Sequence, residues 1–471
     1  MGKVLVERLL STCPEVGRLH LLMRDKRGQP PHKRLAQLKQ SQVFDKVRAR
    51  DPRQLDKIQC VAGDVSLPLL GLSAADVDQL REVSVMFHGA ATVKFCEPLG
   101  AAVASNVAST LHLMDLADKL PALQVLVHMS TAFTNVDVRH IEERVYSAPA
   151  THAQVLTLLD TLPPDLIQQI TAQYISPKPN TYVFSKSLAE VAVHEREPRH
   201  YAAAIFRPSI VVSSHRAPFP GWVEGLSGAC GAIAGMASGA LRVFNIDMSA
   251  RAELVPVDIA IDNMLAVAWE TATDKSKEVR VYYCGSQENS QTWAQFRERV
   301  FRGAAEFPFD NVLYYPSTLG IKNKYVFKIL EVLLQTVPLH IAGYLFKIIG
   351  VQTKVSLSVV SQRLRAMSRV MAFFACREWS FDTSNMRALR DRLKQTDGHI
   401  YHLDINDVNW EQHTRDFVLG VRRHVQHYED DSVLRARKHL DRLRVVHHVV
   451  LLLLALVVYK LFALLLPLTY S

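Results

Sequence analysis

Tyr182 and Lys186, in NTYVFSKSLAE, stand four residues apart, a spacing that brings both side chains to one face if the segment is helical. An ammonium beside a phenol favours the phenolate and lowers the tyrosine pKa, so such a pair suits proton transfer near neutral pH. Alone, YxxxK occurs by chance in many helices, and the spacing by itself favours a structural role. A second feature reverses that judgement. VLVHMSTAF sets Ser130 and Thr131 at the end of an apolar run, where a hydroxyl can hydrogen-bond a substrate oxygen alongside the tyrosine.

The elements that must hold these residues are legible as short apolar runs, LHLLM, IQCVAGDV, SVMFHGAA, LQVLVHMSTAF and AAAIFRPSIVV. Each is the length of a buried parallel strand and most end in a small residue or turn signal. Helical patterns long enough for crossovers separate them. The expectation is an α/β fold with a doubly wound, Rossmann-type parallel sheet over residues 1–310, its chemistry clustered beyond the carboxyl ends of the strands. Between Asn135 and Asn180 a helical insertion interrupts the alternation. After Phe309 strands are expected to stop, leaving a smaller helical domain over 325–428.

Charge narrows the partners. Lys and Arg exceed Asp and Glu by 55 to 46, a net +9 that attracts anions. No zinc-finger spacing, arginine-rich tract or basic heptad helix supports nucleic acid, so phosphorylated cofactors or lipids lead. The six cysteines are scattered without a CxxC pair, which argues against a disulfide framework or structural zinc and for a reducing compartment. No HExxH, GxSxG or GxxxxGK[ST] motif is present. Cys96 reads as a small buried thiol. Residues 445–468, behind the basic RARKHLDRLR, read as a transmembrane anchor that leaves the catalytic part in the cytosol. Within it, Lys460 costs roughly 2.5–3.5 kcal/mol unless its stem snorkels. His447 and His448 fall at the membrane edge.

Taken in order, MFHGAATVKFCEPL, NVASTLHLMDLA, HMSTAF, PNTYVFSKSLAE and RPSIVVSS, followed by CREWSFDTSN and FVLGVRR, resemble an extended short-chain dehydrogenase/reductase, and more narrowly a fatty acyl-CoA reductase. The last two segments are similar to that family's helical "male sterility" domain. The resemblance implies Tyr182 as general acid, Lys186 as its modulator and nicotinamide-ribose ligand, and Ser130, in preference to Thr131, as the oxygen-positioning hydroxyl. Asn106 matches the helix asparagine that supports a proton relay through water. Asp64 and Val65, with Gly63, match the adenine-contacting segment. Gly89, Ala90 and Ala91 stand where the cofactor approaches a strand end, and Pro208 follows in RPSIV. The implied reaction is two hydride transfers, from long-chain acyl-CoA through the aldehyde to the alcohol. The implied partner beyond substrate is a lipid bilayer, with the endoplasmic reticulum favoured over the peroxisome by the nonbasic tail TYS. A steroid- or dihydroflavonol-type reductase fits less well, because of the helical region.

In this family's logic an arginine after the second strand accommodates the 2′-phosphate of NADPH. Here LHLLM ends in Arg24, with Lys26 close behind, so NADPH is expected over NADH. In MGKVLVERLL, Gly2 and Lys3 match only the end of the family's glycine-rich turn. A first strand and two glycines are therefore expected to be missing from this form, which puts its NADPH binding in question. The alternative reading is a catalytically impaired, reductase-like membrane protein.

Overall fold

The computed structural model describes residues 1–226, 228–350 and 355–465. The chain divides into two compact units that interleave along the sequence: Met1–Phe219, Glu253–Ser290 and Glu378–Val408 form one, and Pro220–Ala252, Gln291–Arg377 and Asn409–Ser471 the other.

The first unit is the α/β one. In chain order its main elements are α1 (Gly2–Thr12), β1 (Leu19–Met23), β2 (Ile58–Ala62), β3 (Val85–His88), α2 (Ser109–Ala117), β4 (Val125–Met129), α3 (Thr181–Glu195), β5 (Ala202–Pro208), α4 (Val257–Asp274) and β6 (Arg280–Cys284). Four strands pair in the order β6-β5-β4-β3, all parallel, with His88 opposite His128 and Met129 opposite Phe206. β5 is buried along its whole length, as a central strand covered on both faces must be. The expected parallel sheet is thus present, and each of the five apolar runs supplies a strand. α2 and α3 lend Leu113, Met114, Leu116, Ala192 and Val193 to one side of the core, against Leu126, Ala203, Ile205 and Val281 of the strands.

β1 pairs only with β2, parallel, from Leu19 opposite Ile58 to Met23 opposite Ala62. Neither strand hydrogen-bonds the four-stranded sheet. β1 and β3 instead line one cavity of about 1400 Å³, together with residues of α1 and with Leu113, Leu116 and Leu120. α1 buries Val4, Val6 and Leu10 and is also held by a polar contact. Arg8 Nε donates to Asp262 Oδ1 at 2.6 Å and Nη2 to Oδ2 at 3.1 Å, both residues being buried, so α1 is clamped to α4.

The strongest buried tie lies under α3. Arg207 of β5 donates to Glu190 through Nε at 2.9 Å and Nη2 at 2.6 Å, and its other N–H groups reach the carbonyls of Glu142 and Arg144. This explains the arginine in FRPSIV: it fastens the helix, the strand and the insertion together.

The second unit is mostly helical: α5 (Trp293–Glu306), the continuous helix α6 (Lys324–Ile348, with a π-helical turn at Val332–Thr336), α7 (Leu357–Ala375), α8 (Trp410–Gly420) and α9 (Val433–Leu465). α8 packs on α5. In FVLGVRR, a Cβ on Gly420 would fall 1.8 Å from the carbonyl of Gly221, so only glycine allows that approach. The following Arg422 is buried and donates to Pro308, Glu429, Asp310 and Ser432.

Three expectations need correcting. Cys96, read as a buried thiol, is exposed in the loop after β3. Strands do not stop at Phe309: Leu319–Gly320 pairs with Val243–Phe244, and Ser380–Phe381 with His140–Ile141. Two-residue strands carry no periodicity to read. For the same reason CREWSFDTSN divides between the units. From Glu378 onward it belongs with the sheet, where Trp379 Nε1 donates to the Val136 carbonyl at 3.1 Å. The 445–468 segment falls in α9 as far as Leu465, and 466–468 lie outside the described residues.

Removing one member of a buried ion pair strands the other's charge at a cost of roughly 3–5 kcal/mol, whereas apolar replacement of both is close to neutral. Arg207→Met is therefore expected to lower the urea midpoint sharply, and the double variant Glu190→Met/Arg207→Met to recover most of it. Equal loss in both would contradict the pairing.

Candidate active site

α3 starts where PNTYVF says it should. Asn180 caps it, its Oδ1 accepting the Val183 N–H at 2.9 Å, which puts Tyr182 in the first turn and Lys186 one turn on. The end of β4 delivers Ser130 and Thr131 beside them. Ser130 continues the sheet, its N–H donating to the Phe206 carbonyl at 2.7 Å.

The Thr131 hydroxyl hydrogen-bonds the Tyr182 phenol and pulls its pKa down, but burial outweighs this and pushes the phenol up to about 12. The expected lowering by Lys186 is not what dominates here. Lys186 Nζ donates to the Met129 carbonyl at 2.7 Å. Burial lowers Lys186 to about 8, with Glu190 one turn further on acting in the opposite sense. The Ser130 hydroxyl is buried and has no hydrogen-bond partner among the described residues. It is thus a donor still to be satisfied, next to the hydroxyl that already touches the phenol. Phe95 packs edge-on to the tyrosine ring at 5.1 Å.

Asn106 sits in a π-helical turn, Ala104–Ala108, ahead of α2. Its Oδ1 accepts the Thr92 N–H at 2.8 Å, while Nδ2 donates to the Thr92 carbonyl at 3.3 Å and to Ser185 Oγ at 2.9 Å. Every polar atom of the side chain is engaged in tying the loop after β3 to α3. It fixes the position of the tyrosine's helix.

Gly2, Arg24, Lys26, Asp64, Val65, Gly89 and Ala90 all line the 1400 Å³ cavity; Ala91 and Pro208 are not part of its lining. Pro208 ends β5 opposite Cys284. At the rim Arg24 Nη1 lies 3.4 Å from Asp64 Oδ2, and Arg34 Nη1 donates to the Arg24 carbonyl at 2.6 Å. Ser66 and Arg24 together hold the Asp64 carboxyl below its ordinary range. A Cβ built on Gly89 would meet only the Met129 side chain, at 3.4 Å, so the strand end is open on its other side. A cationic rim, small residues at the strand end and a cavity of this volume fit a nicotinamide dinucleotide.

Two functional-site neighbours escaped the sequence reading, His88 and His128. They stand opposite each other at the ends of β3 and β4, rings 5.1 Å apart and buried beside Lys186. His88 Nε2 is 3.0 Å from Thr110 Oγ1, which itself donates to the Asn106 carbonyl. Burial, with the Lys186 charge, lowers His88 to about 3 and His128 well below its ordinary value. The signal was available: a histidine stands last in one strand run and last but one in the other, VMFH and VLVHM.

A doubly wound sheet with a strand-end hydroxyl facing YxxxK defines the extended short-chain reductase class. Comparison with known proteins is more specific. The NAD-binding "Male sterility protein" family model matches residues 1–264, and the Sterile "Male sterility protein" model matches residues 334–427. "Fatty acyl-CoA reductase wat" of Drosophila melanogaster is 34% identical over 467 residues, covering 98% of this chain and 90% of the fly protein. "Fatty acyl-CoA reductase 2" of Bos taurus is 31% identical over 463 residues, 98% and 89% of the two chains. The chain belongs to the fatty acyl-CoA reductase family. Among solved structures it shares the fold of the reductase domain of a nonribosomal peptide synthetase from Mycobacterium tuberculosis, with TM-score 0.57 and 18% identity over 89% of this chain and 88% of that one. The terminal R domain of the myxalamid pathway is similar, with TM-score 0.56 and 17% identity over 89% and 87%. The family's NAD-binding domain makes the chain an oxidoreductase that uses a nicotinamide cofactor.

The pair of neutral histidines sets an acid limit. An unfolded chain takes up a proton at His88 near pH 6.5, whereas the native one refuses it until about pH 3. Stability at this site is complete above pH 6.5 and is lost as pH falls from there toward 3. NMR titration should find His88 neutral at pH 5; a midpoint near 6.5 would contradict its burial.

Proposed function

We propose that the protein reduces long-chain fatty acyl-CoA to the fatty alcohol and CoA with NADPH, in two successive steps through the aldehyde. The observation that carries this reading is the convergence of Tyr182, Lys186 and the Ser130–Thr131 hydroxyls at the end of β4, in a chain of this family. NADPH, when bound, supplies the hydride. Gly89 and Ala90 at the end of β3 leave room for it, and Arg24 and Lys26 at the rim meet its 2′-phosphate. The tyrosine gives its proton to the carbonyl oxygen as negative charge develops there, and the unpartnered Ser130 hydroxyl donates to the same oxygen. Lys186, already held by the Met129 carbonyl, keeps two further donors for the nicotinamide ribose. Asn106 holds the helix in register through Thr92 and Ser185. The thioester and the aldehyde present the same oxygen to the same donors, so one site serves both steps. The substrate's acyl chain suits attachment to a bilayer, with α9 as the carboxyl-terminal anchor, the catalytic unit in the cytosol and the endoplasmic reticulum as the membrane.

A second reading has its own observation. β1 and β3 share no hydrogen bonds and face each other across a cavity, so the cofactor-binding part of the sheet is split. On that reading the protein is a reductase-like membrane protein impaired in turnover.

Product analysis separates the two. With NADPH and a long-chain acyl-CoA, the protein in detergent micelles is expected to form alcohol, and Tyr182→Phe to lose at least about 100-fold in rate, as removal of a general acid does, while still binding NADPH. Absence of both turnover and NADPH binding in the parent chain favours the second reading. Arg24→Ala is expected to weaken NADPH binding and leave NADH binding unchanged, as seen by cofactor fluorescence titration. Equal weakening of both would remove the 2′-phosphate assignment.

A further inference from the structure

α6 has two unlike faces. Phe327, Glu331, Gln335 and Leu339, each four residues after the last, are buried and form the stripe by which the helix is held. Gln335 Oε1 accepts the N–H groups of Arg242 at 2.9 Å and Val243 at 3.2 Å. Arg365 of α7 donates to Glu331 Oε1 at 3.1 Å and to Thr336 Oγ1 at 2.7 Å. The opposite face is apolar and uncovered: Tyr325, Ile329, Leu333, Ile341, Tyr344 and Ile348 are each 55–67% exposed.

By length and composition this 25-residue helix could cross a membrane. Its attachments argue otherwise. Crossing would strip Glu331 and Gln335 of their partners and carry both into hydrocarbon, where no water replaces them. The charges also have a pattern. Glu331 is the single acidic residue between 324 and 348, and it faces inward, whereas Lys324, Lys328 and Lys347 are exposed near the two ends. Tyrosines at both ends complete the composition of a helix that rests at an interface, aromatic rings at headgroup depth and ammonium groups on lipid phosphates. α9 of the same unit also exposes a run of apolar side chains, from Val445 to Val457.

We propose that α6 lies in the plane of a bilayer bearing anionic headgroups, with its apolar face about 5–10 Å deep, as a membrane contact separate from the carboxyl-terminal helix. The proposal does not depend on the catalytic reading. It makes the bilayer a surface on which the second unit is seated at two places, not a tether point alone.

The test is depth, because the carboxyl-terminal helix alone could carry the chain to vesicles. An environment-sensitive fluorescent amino acid is placed in turn at Ile329, Leu333, Ile341 and Leu345 of the full chain, with Leu453 as a separate report on the carboxyl-terminal helix. The vesicles contain phosphatidylcholine and phosphatidylserine with a nitroxide either near the headgroup or near the acyl end. All four α6 probes are expected to shift to the blue and to be quenched several-fold more by the shallow nitroxide, to equal extents at both ends. A gradient of depth along the helix means that it spans, and overturns the proposal. So does water-like emission from all four probes, whether or not Leu453 is in lipid. Ile329→Glu with Ile341→Glu replaces only exposed side chains, so its melting temperature should hold; in that variant the Leu333 probe is expected to return to water while Leu453 stays in lipid, and a Leu333 probe that remains buried overturns the assignment of this face.

Discussion

The contact between Arg207 and Glu190 fixes the geometry on which the rest of the site depends. Tyr182, Lys186 and Glu190 lie at four-residue intervals on α3, so all three share one face. A bidentate guanidinium–carboxylate contact is planar and directional, and it therefore sets the rotation of the helix about its own axis as well as its distance from the sheet. With Glu190 held, the azimuth of the tyrosine and lysine is no longer free. Arg207 also holds the Glu142 and Arg144 carbonyls, and Glu190 accepts the Thr134 hydroxyl at 3.3 Å, which joins the insertion and the loop after β4 to the same point. One arginine on a central strand thus aligns a helix, a strand end and an insertion.

Much of this was legible beforehand, for identifiable reasons. A central parallel strand is buried on both faces, so it appears as a continuous apolar run, and AAAIFRP did. YxxxK is a spacing, and spacing survives in a sequence. What could not be read were contacts made by folding back. Nothing local says that Glu378–Val408 returns to the sheet, or that Pro220–Ala252 leaves it. Nor does HMSTAF reveal which hydroxyl meets the phenol; Thr131 does so, while the hydroxyl of Ser130 beside it has no partner among the described residues. The effect of Lys186 on Tyr182 was argued from charge alone, whereas burial, which no spacing displays, sets the direction of the shift. His88 and His128 were visible as residues, but their pairing exists only in the register of β3 with β4.

The two units divide the physical work. The α/β unit spends its buried polar groups on alignment: Arg8 with Asp262 for α1, Asn106 with Thr92 and Ser185 for the loop after β3, Arg207 with Glu190 for α3. The helical unit spends its own on fastening segments: Arg422 ties 308–310 to 429–432, and Gln335 holds α6, whose other face is apolar and exposed.

The separation of β1–β2 from the four-stranded sheet bears on cooperativity. Sheet hydrogen bonds ordinarily make neighbouring strands melt together, but β1 and β2 are joined to the remainder by side-chain packing and the loops around them. Segments joined in this way can open as a unit separate from the global transition. Arg24 and Lys26 follow β1, whereas Gly89 and Ala90 follow β3 of the four-stranded sheet. A dinucleotide in the cavity would touch both parts at once, and its binding would add between them a link that no sheet hydrogen bond supplies.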